Sequence, residues 1–175
     1  MNTDEAEFLS LVQDAHSWFQ QAEQFYLAAQ LLVPALERQR PITEETNSRA
    51  VGSLKSVLLL LAISVENALK SVKAKKGEIT VSGGKIDKRA FGGRGGHDLV
   101  GLANSIKFPL SAKEKELLEQ LTEVVIWAGR YQQPLTAVDF GRSKKKNPRT
   151  LAVPQDINLV GSILGRLREI VFARA

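Results

Sequence analysis

The chain has 175 residues, 43% of them hydrophobic and 25% charged, with a net charge of +5; this is an ordinary globular composition, and the length suits one domain, residues 1–175, with a substantial core. It contains no cysteine, which excludes disulfides, thiolate zinc sites and cysteine nucleophiles. Residues 1–7 are acidic and lack an apolar run, so no signal peptide is expected and a cytoplasmic location is the default.

The positive charge is concentrated. Residues 1–69 hold nine acidic and four basic side chains, residues 70–96 hold eight basic and two acidic, and residues 142–149 hold five basic and no acid. Local excess of this kind points to an anionic partner more directly than the overall charge does.

From the N-terminus, Phe8, Leu11, Val12, Ala15, Trp18, Phe19, Ala22, Phe25, Tyr26, Ala29, Leu32, Val33 and Leu36 recur at helical spacing. They predict one helix over about residues 4–39, roughly 50 Å long at 1.5 Å per residue, kinked at Pro34. The aromatic stripe reads as core and His16 as a surface histidine. Arg40-Pro41 ends this helix, and Thr43 caps a second that runs to about Lys75. Its stretch from Val57 to Val65 is apolar all round the wheel, so other helices should enclose it. Nine apolar residues are too few for a bilayer, which needs about 20; no membrane association is expected.

Residues 76–96 form an irregular loop holding six of the 13 glycines between Gly83 and Gly96, with a short strand expected over residues 78–81. It has no P-loop pattern. His97-Asp98-Leu99 opens a short third helix that ends at Phe108-Pro109. Ser111 and Glu114 form a capping box for a fourth, with Leu117, Leu118, Leu121, Val124, Val125, Ala128 and Tyr131 on its inner face. A second irregular segment spans about residues 132–153 and contains Lys144, Lys145 and Lys146. Pro154 starts a last helix with a stripe from Ile157 to Val171, where Gly161 and Gly165 leave room for a neighbour. The expected class is all-α: an antiparallel helical bundle of four long helices plus one short one.

Two histidines 81 positions apart and no cysteine leave no metal-ligand cluster, and no metal or cofactor is expected. The polar groups expected to converge are Glu66 and Lys70, His97 and Asp98, and Arg130 and Tyr131. A carboxylate at the end of an apolar helix needs a partner, because burying it unpaired is costly. Each group also has a plainer reading: Glu66–Lys70 as an i,i+4 pair, His97 or Asp98 as a helix cap, the loop lysines as solvated charge.

The order Val65-Glu66-Asn67-Ala68-Leu69-Lys70, a loop into Gly96-His97-Asp98-Leu99, then Gly129-Arg130-Tyr131 before a proline, resembles the HEPN superfamily over roughly residues 45–175. The resemblance implies a small helical bundle, commonly a homodimer, linked to nucleotides or RNA, and a nucleotidyltransferase partner or a toxin–antitoxin or defence role. It assigns nucleotide or RNA contacts to Glu66, Lys70, Arg94, His97, Asp98, Arg130, Tyr131, Lys144, Lys145 and Lys146. Ribonucleases of the family carry an Arg, then four to six intervening residues, then a His. Here two residues separate Arg94 from His97 and seven separate Arg89 from it, a departure that favours the binding branch. The alternatives are a metal-independent ribonuclease using His97 with Arg94 and Arg130, and a structural helical adaptor without ligand.

Overall fold

The computed structural model describes residues 3–37, 43–128, 136–138, 140–141 and 153–173. Six helices carry most of them: α1 (Thr3–Val12), α2 (Ala15–Glu37), α3 (Glu44–Lys75), α4 (Leu99–Ser105), α5 (Ala112–Glu123) and α6 (Val153–Phe172). The class is all-α. The strand pairing among the described residues is one hairpin of β1 (Val81–Ser82) with β2 (Lys85–Ile86).

The single helix expected over residues 4–39 is two. The apolar period runs through the break, but Asp14 wins locally as the cap of α2: its Oδ1 accepts from the backbone N–H of His16 (3.0 Å) and Ser17 (3.2 Å), and its Oδ2 from Ser17 Oγ (2.5 Å). These bonds, those of Ser17 first, hold the Asp14 carboxyl below the usual carboxylate range. On the other side of the break, Trp18 Nε1 donates to Val12 O at 2.8 Å and satisfies a carbonyl at the end of α1. The helix α2 passes through Pro34 to Glu37.

The most extensive packing is between α2 and α3. They run in opposite directions: Ser64 Oγ donates to Ala22 O (2.7 Å) towards one end, while Val33 and Leu36 line a cleft with Ala50, Val51 and Leu54 towards the other. Thr43 caps α3, with Thr46 completing the box. The exposed first third of α3 is polar, and burial becomes dense only from Val57 onward. By length and composition α3 is apolar enough to cross a bilayer. Yet its second half also buries Glu66, Asn67, Lys70 and Lys73 among the elements packed on it.

The chain after α3 differs from the expected strand over residues 78–81. Pairing starts only at Val81, because Gly83 and Gly84, at φ +56° and +68°, make a two-residue hairpin turn that pairs Val81 with Ile86. Asp87 then caps a 3₁₀ turn over Lys88–Phe91, its carboxylate chelated by the Arg89 guanidinium and by Arg89 N. Those bonds lower the Asp87 pKa and raise that of Arg89.

The helix α5 starts with the expected box of Ser111 and Glu114, and ends in a π-helical segment, Val124–Ala128. Leu117, Leu118, Leu121 and Val125 are core; Tyr131 lies outside the described residues. On α6 the stripe from Ile157 to Val171 is buried except Ile170, which is 39% exposed. The two glycines of α6 differ: a Cβ on Gly161 would stand 2.5 Å from Tyr26 Oη, whereas Gly165 faces open space. The buried residues of all these helices, with Ile79 and Phe91 from the loop, make one contiguous hydrophobic cluster.

Candidate functional site

The apolar run of α3 ends in Glu66 and Lys70, one helical turn apart. Both side chains are only 9% exposed, and Lys70 Nζ lies 2.5 Å from Glu66 Oε1. At this depth the pair is more than the exposed i,i+4 couple worth a few tenths of a kcal/mol, since removing either partner strands a buried charge. The ammonium is also roofed by aromatic rings, with Nζ 4.4 Å from the Phe91 ring centre and 5.9 Å from that of Trp18. Phe91 meets Trp18 edge-on at 6.2 Å.

The second oxygen of Glu66 reaches out of the core. Oε2 lies 2.9 Å from Nδ1 of His97, whose side chain is 35% exposed. A carboxylate accepts at both oxygens, so the imidazole gives its Nδ1–H to Glu66, which leaves Nε2 as the acceptor of the ring. The result is a chain from the buried ammonium through the carboxylate to a half-exposed histidine.

Local geometry aims that histidine. Gly96 has φ +89°, and a Cβ there would stand 2.9 Å from Phe91 Cβ. The loop backbone thus lies directly against the ring that covers Lys70, and only glycine allows the approach. Immediately after His97, Asp98 caps α4, its Oδ1 accepting from Gly101 N at 2.9 Å. Leu99 N donates to Thr122 Oγ1 (3.1 Å), which in turn donates to Leu118 O (2.7 Å), so α5 pins the start of α4. Backbone fixed on both sides of His97 limits the freedom of its ring.

Of the residues picked out in the sequence, Glu66, Lys70 and His97 meet, and Asp98 stands beside them as a cap. Lys70 is covered by Glu66, Phe91 and Trp18, and its link to the surface runs through Glu66 and His97. Arg130, Tyr131, Lys144, Lys145 and Lys146 lie outside the described residues, as does the side chain of Arg94, whose backbone is in a 3₁₀ turn over Arg94–Gly96. His16 is exposed and stacks on Phe172 at 4.7 Å. Trp18 and Phe91 were not among the expected site residues. The signal for Phe91 is an aromatic ring set just before a Gly-Gly pair in a basic loop, where burial is its main reason to be there. A second buried cation, Lys73, bonds Glu78 Oε2 at 3.0 Å and anchors the start of the same loop.

No group of His, Asp and Glu among the described residues has the arrangement of a metal site. No known family's model matches the chain, and no curated protein or solved structure matches it either.

Proposed function

We propose that the chain is a HEPN-like domain that binds a nucleotide or RNA. In this reading it is an antiparallel bundle of four long helices plus one short one, acting in the cytoplasm as a homodimer with a nucleotidyltransferase or toxin–antitoxin partner. The supporting observation is the Lys70–Glu66–His97 chain: a half-exposed imidazole, oriented by a buried carboxylate, at the exit of a glycine-rich basic loop. His97 Nε2 meets a phosphate oxygen, and Arg94, Arg130, Lys144, Lys145 and Lys146 add positive charge around it. Asp98 caps the helix that begins just after His97.

The test is binding of ATP and of a single-stranded oligoribonucleotide, followed by calorimetry, with mass spectrometry of nucleotides carried through purification. His97→Ala should weaken binding at least tenfold. Neutralising Lys144, Lys145 and Lys146 should flatten the salt dependence by about 0.7 in slope per lost contact on a single strand. Unchanged affinity in His97→Ala overturns the assignment of the site.

One observation favours a second reading, a metal-independent ribonuclease. A histidine oriented through Nδ1 by a carboxylate is arranged as a general acid/base is, with Nε2 facing the substrate. The spacing of Arg94 and His97 argues against it, and wild-type protein is expected to leave single-stranded RNA intact. Cleavage without added metal that disappears in His97→Ala would move the assignment to the ribonuclease.

A further inference from the structure

The opposite charge dominates the N-terminal helices. Residues 3–37 contain six acidic side chains and no Lys or Arg. Three of the six have internal work: Asp14 caps α2, Glu5 accepts from Gly84 N at 3.1 Å, and Glu23 pairs with Arg168. Asp4 and Glu7 are exposed on α1, each one helical turn before an exposed apolar residue, Phe8 and Leu11 respectively.

Those two apolar residues depart from their expected place. The helical period puts Phe8 and Leu11 in line with the core, but α1 ends at Val12, before the break at Asp14, and they emerge 37% and 65% exposed. With Val12, Ser17, Trp18 and Gln21 they line an open groove of about 260 Å³ between α1 and the first turns of α2. Farther along α2, Leu27 and Leu31 are 57% and 80% exposed. At 100° per residue Leu31 lies on the same side of α2 as Ser17, and the distance between them is about 21 Å at 1.5 Å per residue. The groove with its acidic rim is thus the apolar start of this face; along α2 the exposed side chains between it and Leu31 include those of Gln20, Gln21 and Gln24. The basic loop touches α1 at its first turn, through Gly84, and the groove lies beyond that contact.

We infer that this α1–α2 face docks a cationic amphipathic helix of a partner protein. A large apolar side chain of the helix enters the groove beside Trp18, its polar flank passes Gln20, Gln21 and Gln24 towards Leu31, and its Lys and Arg residues face Asp4 and Glu7. Charge complementarity selects this occupant: the rim repels nucleic acid and acidic helices, and a helix laid in an apolar groove is held by anchors spaced one turn apart. The groove shares Trp18 with the cover of Lys70 but contains neither Glu66 nor His97, and a comparison of peptides reads it without nucleotide or RNA.

The test uses the full chain and two 18-residue model helices, one of Leu and Lys and one of Leu and Glu in the same amphipathic pattern, followed by calorimetry and sedimentation. The Leu/Lys peptide should bind as one peptide per chain and at least tenfold more tightly than the Leu/Glu peptide, with the gap shrinking from 50 to 500 mM NaCl. Leu11→Ser should weaken it at least fivefold, and Asp4→Lys with Glu7→Lys should shift the preference towards the Leu/Glu peptide. Circular dichroism checks the fold of the variants, while the comparison of the two peptides on the wild-type chain needs no variant. Equal binding of both peptides, indifference to Leu11→Ser, displacement by a single-stranded oligoribonucleotide, or burial of the face in a second copy of the chain overturns the inference.

Discussion

Glu66 and His97 are 31 positions apart in sequence and 2.9 Å apart at Oε2 and Nδ1, and the other oxygen of the same carboxylate holds Lys70. One buried group therefore serves both the core and the surface. Its loss should cost more than that of either partner. Glu66→Gln leaves a buried ammonium without a counter-charge and should cost about 3–5 kcal/mol. Lys70→Met leaves Glu66 with His97 and should cost less, and the double variant should cost less than the sum of the two singles. Urea unfolding of all three variants measures this; additive losses would show that the pair is not coupled.

Gly96 should be irreplaceable where its neighbour is not. Gly96→Ala must accept a positive φ and a Cβ 2.9 Å from that of Phe91, a strain of about 1–3 kcal/mol. Gly93 has no such φ and a Cβ there meets nothing, so Gly93→Ala should stay within about 0.5 kcal/mol of wild type. Thermal melts rank the two. The His97 ring resonances should move in Gly96→Ala alone, because Phe91 and His97 are set by the same turn.

The glycines of α6 should respond in opposite senses. Gly165→Ala fills open space and gains helix propensity, stabilising the chain by about 0.5–1 kcal/mol. Gly161→Ala drives a methyl against the Tyr26 hydroxyl, which itself donates to Ile157 O at 3.2 Å, and overpacking of this kind costs about 1–3 kcal/mol. Adding Tyr26→Phe to Gly161→Ala should recover part of the loss. No recovery would place the clash elsewhere.

Asp14→Ala removes the cap that separates α1 from α2 and should cost about 1 kcal/mol at neutral pH. The Asp14 carboxyl is held below its ordinary value of 3.8, chiefly by the Ser17 hydroxyl. Its contribution is thus complete above 3.8 and is lost as the pH falls through the lower folded-state value. The stability difference between wild type and Asp14→Ala should narrow below pH 3.8. A difference that stays constant with pH would mean that the carboxylate charge plays no part in the cap.

Much of this architecture is legible in the residues. The buried stripes of α3, α5 and α6, the box of Ser111 and Glu114, and the need of Glu66 for a partner all follow from spacing and from the cost of burying charge. The break at Asp14 does not, because the apolar period from Leu11 to Trp18 continues across it. There a short-range cap outweighs a long-range pattern. Phe8 and Leu11 are misplaced by the same reasoning, since period alone assumes a straight helix. The aromatic cover on Lys70 is also hidden, for Trp18 and Phe91 meet that ammonium only when α2 and the loop close over α3.

One lysine has a consequence for the motions of the molecule. At the end of α3, Lys75 Nζ donates to the carbonyl oxygens of Ile170 (2.9 Å) and Val171 (3.0 Å) in the last turn of α6 and of Ala173 (2.8 Å) just after it. Helix ends ordinarily fray, and their amides exchange with solvent at little cost. Here the carbonyls that fraying would release are gathered on a cation belonging to the central helix, so opening the last turn of α6 must also strip Lys75 of three ligands. Deuterium uptake in that turn should therefore be slow in the wild type. In Lys75→Met it should become fast, while the middle of α6 exchanges at its former rate.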